Sequence, residues 1–153
     1  MDRRITDRAG QPDLKVVVTT MASDSHTWNL IFLQLLLEEL GHRVTNLGPC
    51  VPDGILLAEC RRREPDLIVL SSVNGHGFDD GLRVLAGLRS CPELQRTPVV
   101  IGGKLGIAGA QDGTARSQAL RAAGCDAVFE GGGSVDAFLG YLTELPTAAG
   151  LLR

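Results

Sequence analysis

Short apolar runs rich in β-branched residues alternate along this chain with longer stretches in which apolar residues recur at helical spacing. The runs predict five β-strands, over 14–20, 43–48, 67–70, 98–101 and 127–129. The longer stretches predict five α-helices, over 28–40, 53–63, 79–89, 117–123 and 134–145. Strict alternation of strand and helix is typical of a parallel sheet with crossover helices. We therefore predict an α/β fold with a single doubly wound, five-stranded parallel sheet, flavodoxin-like (Rossmann-like), in strand order 2-1-3-4-5.

Length and composition fit one folded domain. The 153 residues are 44% hydrophobic and 22% charged, which is far from the composition of chains that stay disordered. We assign 14–146 to this domain. The polar residues 1–13 are interpreted as a flexible N-terminal tail, and residues 147–153 as a C-terminal tail.

Charge, hydropathy and cysteine spacing disfavour several classes of function. A net charge of -3 leaves no basic field for a nucleic acid partner. The longest apolar run, 30–37, is well short of the roughly 20 residues that a membrane span needs. The four cysteines form no C-x-x-C pair and no signal segment is evident, so we expect reduced thiols and a cytoplasmic location.

Ligands of open parallel sheets bind beyond the carboxyl ends of the strands, so the loops at those ends are where chemistry is expected. The third strand runs into Ser71-Ser72, without the acceptor aspartate of a phosphorelay receiver. The loop after the first strand, 21–29, contains no glycine, unlike the phosphate-binding loop of flavodoxins, and no G-x-G-x-x-G follows that strand. Receiver, flavin and dinucleotide functions are therefore disfavoured.

Three motifs at the strand ends resemble those of cobalamin-binding domains. Residues 24–29, DSHTWN, are similar to the D-x-H-x-x-G that follows the first strand in that family. Residues 71–73, SSV, are similar to its S-x-L, and Gly102-Gly103 to its G-G. From about Leu14 onward the chain resembles most closely the small cobalamin-binding subunits of adenosylcobalamin-dependent glutamate mutases (methylaspartate mutases), in which two serines likewise precede a G-x-G, here 75–77.

The resemblance implies roles for individual residues. His26 would replace the cofactor's own dimethylbenzimidazole as the lower axial ligand of cobalt, and Asp24 would accept the N–H of the other ring nitrogen. Ser71 would hydrogen-bond the displaced base of the nucleotide tail. The other cofactor-binding residues that it implies are Ser25, Thr27, Val73, Gly75, Gly102, Gly103, Phe129, Gly131 and Gly132.

The function that the resemblance implies is the cobalamin-binding subunit of a two-component carbon-skeleton mutase that holds adenosylcobalamin base-off. Substrate binding and radical chemistry would belong to a large barrel-type catalytic subunit, so we expect no catalytic residue on this chain and no activity from it alone. The substrate pair of the nearest family is glutamate and 3-methylaspartate.

Two positions depart from the family pattern, and two other functions stay open. Asn29 replaces the motif glycine and puts a side chain where the family lets backbone approach the tail, whereas Val73 in place of leucine is a mild change. A corrinoid carrier or B12-sensing module is one alternative, although such proteins usually carry a helical cap domain, for which residues 1–13 have no room. The other is a zinc-binding domain that uses Asp24, His26 and His76.

Overall fold

The computed structural model describes residues 14–72, 77–103, 113–130 and 134–145. Its strands are β1 (Lys15–Thr20), β2 (Arg43–Gly48), β3 (Leu67–Ser72), β4 (Val99–Gly103) and β5 (Ala127–Phe129). Its helices are α1 (Trp28–Glu39), α2 (Asp53–Arg63), α3 (Gly77–Ser90), α4 (Gly113–Ala122) and α5 (Ser134–Glu144), with a short 3-10 helix at Pro92–Leu94.

The sheet has the predicted topology. Its strands lie in the order β2-β1-β3-β4-β5, and every neighbouring pair is parallel. The winding reverses between β1 and β3, because the chain goes from β1 outward to β2 and then returns to the other side of β1. Ligands of doubly wound sheets bind at that reversal, beyond the carboxyl ends of the strands.

Several boundaries differ from the predicted ones, and those of β3 and β4 affect the site. The prediction that Gly102-Gly103 follow the fourth strand is wrong, because both glycines pair with β3 and so extend β4. The partner strand β3 correspondingly runs on to Ser72. Helix α3 begins at Gly77 and α4 at Gly113, in both cases earlier than the apolar spacing indicates.

The sheet separates two apolar cores. Helices α1 and α5 cover one face, where Val16 and Val18 of β1 pack with Leu37 and Phe138 of these helices. Helices α2, α3 and α4 cover the opposite face, which includes Ile68. All six residues of β3 are buried, as expected of a central strand covered on both sides. No helix in the described part of the chain is long and apolar enough to cross a membrane.

Candidate functional site

Four residues from four strands form a row at the carboxyl edge of the sheet. Thr20 of β1 is paired with Ser71 of β3, and Ser71 with Gly102 of β4. Gly102 is in turn paired with Phe129 of β5. Because side chains alternate along a strand, this row lies on the same face as Val18, which belongs to the core under α1 and α5. The structure thus brings together three of the residues that the resemblance singled out.

The loop between β1 and α1 holds an aspartate–histidine pair. The Asp24 side chain is 1% exposed, whereas the His26 side chain is 52% exposed. Asp24 Oδ1 lies 2.8 Å from His26 Nδ1 and also accepts the backbone N–H of His26 at 3.0 Å. A carboxylate acceptor favours the tautomer with its hydrogen on Nδ1, which leaves the lone pair on Nε2. Within the described chain no residue hydrogen-bonds Nε2, so this nitrogen is available to a metal ion.

The backbone of Asp24 is held by the end of β1 and by the segment that follows β2. Its carbonyl oxygen accepts the hydroxyl of Thr20 at 3.0 Å and the backbone N–H of Cys50 at 2.8 Å. Its own N–H donates to the carbonyl of Met21 at 3.1 Å, which closes a turn directly after β1. These bonds fix the aspartate that orients the histidine ring.

An apolar groove of about 170 Å³ runs beside the row of strand ends, between α1 and α5. An apolar cavity of about 150 Å³ accommodates a benzene ring, so the groove has room for a flat aromatic base. The strand ends contribute Val69, Leu70, Ser71, Val100, Gly102, Gly103 and Phe129 to its lining. The helices contribute Asn29, Phe32, Leu33, Leu36, Ser134, Val135 and Phe138.

The two glycines of β4 are needed for different reasons. Gly103 has φ of 106°, and a Cβ there would lie 1.8 Å from the carbonyl oxygen of Ser72. A Cβ on Gly102 would lie 3.3 Å from the carbonyl oxygen of Phe129, on the groove side of the sheet. The Phe129 ring itself is held by edge-to-face contact with Phe138, at 5.5 Å between ring centroids. Gly102 therefore leaves space in the groove, whereas Gly103 is required by the fold.

Asn29, in the first turn of α1, forms part of the groove wall against β3. Its Nδ2 donates a hydrogen bond to the hydroxyl of Ser71. Its Oδ1 is buried and has no hydrogen-bond partner among the described residues. Buried polar atoms without partners are rare, so this oxygen is suited to a polar group of a ligand in the groove. The sequence identified Asn29 as a departure from the motif but carried no signal of its contact with Ser71, which is 42 positions away.

The remaining implied residues divide into two groups. Ser25 and Thr27 are exposed in the loop after β1 and do not line the groove. In the ranges that the structure describes, no three or more His, Cys, Asp and Glu side chains are grouped so that they could hold a metal ion. The zinc hypothesis is not tested by this result, because its third ligand, His76, is not among the described residues. Outside the described residues lie Val73, Gly75, His76, Gly131 and Gly132.

The class of ligand follows from the family to which this sequence is similar. The B12 binding domain family matches residues 14–138. The chain belongs to the B12-binding domain family. Its cofactor is therefore a cobalamin, and the site fits that group. An imidazole held at Nδ1 is a suitable ligand for cobalt, and an apolar groove with two polar side chains suits an aromatic base.

One curated relative of this B12-binding chain is the HTH-type transcriptional repressor CarA of Myxococcus xanthus. The two are 32% identical over 90 residues, which is 58% of this chain and 30% of the repressor. The chain thus spans less than a third of the length of that relative.

Solved structures share the fold at low sequence identity. A cobalamin-binding protein from Desulfitobacterium hafniense matches with a TM-score of 0.66 and 20% identity, over 84% of this chain and 57% of that chain. A methanol:cobalamin methyltransferase complex from Methanosarcina barkeri matches with a TM-score of 0.60 and 17% identity, over 93% and 50%. A chemotaxis response regulator of Vibrio cholerae also matches, with a TM-score of 0.64 and 15% identity, over 88% and 99%. Here, however, β3 ends in Ser71-Ser72 and offers no aspartate as phosphate acceptor.

Proposed function

We propose that this B12-binding chain is the cofactor-binding component of a two-component, adenosylcobalamin-dependent carbon-skeleton mutase of the glutamate mutase type. It binds the cofactor base-off, with His26 Nε2 as the lower ligand of cobalt. The observation that carries the proposal is the 2.8 Å contact between Asp24 Oδ1 and His26 Nδ1. Metal-ligating histidines almost always donate their other N–H to a carboxylate, a carbonyl or water, and this ring is held in that way while its far side is exposed.

The residues of the chain bind and orient the cofactor. Asp24 holds the ring of His26 and increases the basicity of Nε2. The groove between α1 and α5 takes the displaced base. Its apolar walls bury the faces of the base, and Ser71 and Asn29 supply polar contacts. When bound, adenosylcobalamin supplies an adenosyl radical through homolysis of its cobalt–carbon bond.

The outer face of α1 supports the existence of a protein partner. Trp28, Ile31 and Leu35 follow one another at helical spacing on that face and are 83%, 42% and 60% exposed. The helix has no charged residue before Glu38. An exposed apolar stripe is typical of an interaction surface, and this one begins two residues after His26. The proposed occupant is the barrel-type catalytic subunit, which would also cover the cofactor and provide the substrate-binding and catalytic residues.

The ligand assignment is tested by titrating the purified chain with hydroxocobalamin and adenosylcobalamin. Absorbance reports release of the dimethylbenzimidazole from cobalt. Electron paramagnetic resonance of the reduced cob(II)alamin form reports the nitrogen on the lower face. We expect the splitting to change from a triplet to a doublet when the protein carries nitrogen-15 histidine, and the histidine signal to disappear in His26→Ala. Asp24→Asn should weaken cobalamin binding by about 10- to 100-fold, because the ring loses its carboxylate partner.

His76→Ala is the matched control, since it removes a histidine and keeps the Asp24–His26 pair. It should retain the doublet. A base-on spectrum in the wild-type protein, or a labelled splitting that persists in His26→Ala, would refute the assignment.

The second candidate function is a corrinoid carrier or B12-sensing module. It is favoured by the 32% identity over 90 residues to CarA, an HTH-type transcriptional repressor. Turnover separates the two functions. With adenosylcobalamin, glutamate and the large subunit of a glutamate mutase, a mutase component supports formation of 3-methylaspartate, and Trp28→Asp weakens that complementation. A carrier or sensor binds the cofactor with His26 on cobalt but supports no isomerisation.

A further inference from the structure

A second set of polar contacts holds the loop that carries the aspartate–histidine pair, on the side facing α3. Ser23 directly precedes Asp24, and its hydroxyl donates a hydrogen bond to Asp80 Oδ2. Asp80 lies in the first turn of α3 and is only 7% exposed. Its neighbour Asp79 occupies the same helical turn but is exposed. Within the described part of the chain, Asp80 rather than Asp79 makes the hydrogen bond to this loop.

The Asp80 carboxylate is also tied to α2. Arg83, one turn further along α3, donates to Asp80 Oδ1 at 3.0 Å. The same guanidinium donates to both carboxylate oxygens of Asp53, the first residue of α2, one of them at 3.2 Å. A bidentate arginine has a defined geometry, so it holds the two carboxylates in a fixed relation. The loop after β1 and the starts of α2 and α3 are thereby joined at the carboxyl edge of the sheet.

The Ser23–Asp80 contact lies next to Asp24, so it affects the position of the carboxylate that orients His26. On one side the Asp24 carbonyl is held by Thr20 and by the N–H of Cys50. On the other side Ser23, whose hydroxyl donates to Asp80, is joined directly to Asp24 by a peptide bond. Any shift of Ser23 moves the buried carboxylate that orients His26. A loosely held ligand shell loses affinity even when every ligand is present.

We propose that Asp80 is a positioning residue for the cobalt ligand, acting through Ser23 to keep Asp24 and the His26 ring in place. This proposal rests on the function proposed above, in which His26 ligates cobalt. Asp80 itself touches neither the ring nor the groove. Its carboxylate is held in turn by the guanidinium of Arg83.

The test compares Ser23→Ala and Asp80→Asn with two controls, Ser90→Ala at the exposed end of α3 and Asp79→Asn beside Asp80. In the protein without cofactor, nitrogen-15 NMR of the His26 ring reports which nitrogen bears the hydrogen. We expect a predominant Nδ1–H tautomer in the wild type and both controls, and a mixture in Ser23→Ala and Asp80→Asn. Cobalamin binding should weaken about 10-fold in each of those two variants. Ser23→Thr, which keeps a hydroxyl, should restore both properties.

Coupling between the two residues provides a further check. If Asp80 acts through Ser23, the double variant should bind cobalamin no more weakly than either single variant. Variants that fold and keep the wild-type tautomer, affinity and nitrogen splitting would overturn the proposal, even if their melting temperature falls. If Asp80→Asn does not fold, Ser23→Ala decides. If the wild-type chain binds no cobalamin, the proposed function fails, whereas the tautomer measurement still decides the role of Asp80.

Discussion

The adjacent glycines of β4 offer a sharp test of the site, because the structure predicts opposite outcomes for two substitutions one residue apart. Gly103→Ala should destabilise the fold. Its φ of 106° is a conformation that L side chains rarely adopt, and the new Cβ would lie 1.8 Å from the Ser72 carbonyl oxygen, where contacts below 3.0 Å are essentially never seen. Gly102→Ala should leave the fold intact and impair cofactor binding.

The magnitude for Gly103→Ala follows from two costs. A left-handed backbone costs an L residue roughly 1–2 kcal/mol. Relief of the overlap requires Ser72 to move away from its partner in β4, which costs at least one ladder hydrogen bond, worth about 1 kcal/mol, together with the packing around it. We expect a total of about 3 kcal/mol or more, which is a large fraction of the 5–15 kcal/mol typical of a domain. The melting temperature should fall by about 10 °C.

For Gly102→Ala the added methyl group meets the Phe129 carbonyl oxygen at 3.3 Å and the Phe129 Cβ at 3.6 Å, which is tight but can be relieved by small shifts. The reduced entropy of the unfolded chain offsets part of this cost, so the free energy of unfolding should change by less than about 1 kcal/mol. The methyl group occupies space in the groove, and overpacking of about 1.4 kcal/mol would weaken cobalamin binding about tenfold.

Urea unfolding followed by circular dichroism measures the stability of both variants, and absorbance titration with hydroxocobalamin measures binding. A Gly103→Ala protein as stable as the wild type would refute the backbone geometry at the end of β4. A Gly102→Ala protein that binds cobalamin with wild-type affinity would show that the tail base lies outside the groove between α1 and α5.

Three further predictions concern the rest of the fold. A thiol reagent should modify the exposed Cys50 readily in the native protein but reach the buried Cys60 and Cys125 only on unfolding. Burial raises the pKa of Cys60 to about 12 and that of Cys125 to about 11, from about 9. These thiols therefore ionise at lower pH in the unfolded chain than in the folded one, so the free energy of unfolding should fall as pH rises above about 9. The fall should be smaller in Cys60→Ala, and an equal fall in that variant would contradict this reasoning. Arg89→Ala should lower the free energy of unfolding by about 2–3 kcal/mol, because its guanidinium donates to several backbone carbonyls and a carboxylate. Arg61 is exposed and makes one ion pair, with Glu93 at 3.6 Å. In the same urea experiment Arg61→Ala should change the free energy of unfolding by less than about 0.5 kcal/mol, and equal losses in Arg61→Ala and Arg89→Ala would refute the argument.

The sequence by itself determined the architecture and the edge of the sheet that carries the site. Apolar runs alternating with helical patterns predict a doubly wound sheet, and the uninterrupted apolar run at the start of β3 predicts its central place. Parallel strands bring their carboxyl ends to one edge, so Ser71, Gly102 and Phe129 could be expected to meet. The Asp24–His26 pair was also predictable, because two residues in one short loop need no tertiary contact to be neighbours.

Only the tertiary structure decided the contacts between residues far apart in the chain. The bond from Asn29 to Ser71 spans 42 positions and that from Ser23 to Asp80 spans 57, and no periodicity or motif encodes either. The end of β4 was likewise decided by its partner strand. Two consecutive glycines do not indicate a strand by themselves, but here their backbone pairs with Ser71 and Ser72 of β3. Such contacts exist only after sheet register and helix packing have placed the two backbones side by side, and a linear pattern of apolar and polar residues carries no distance between them.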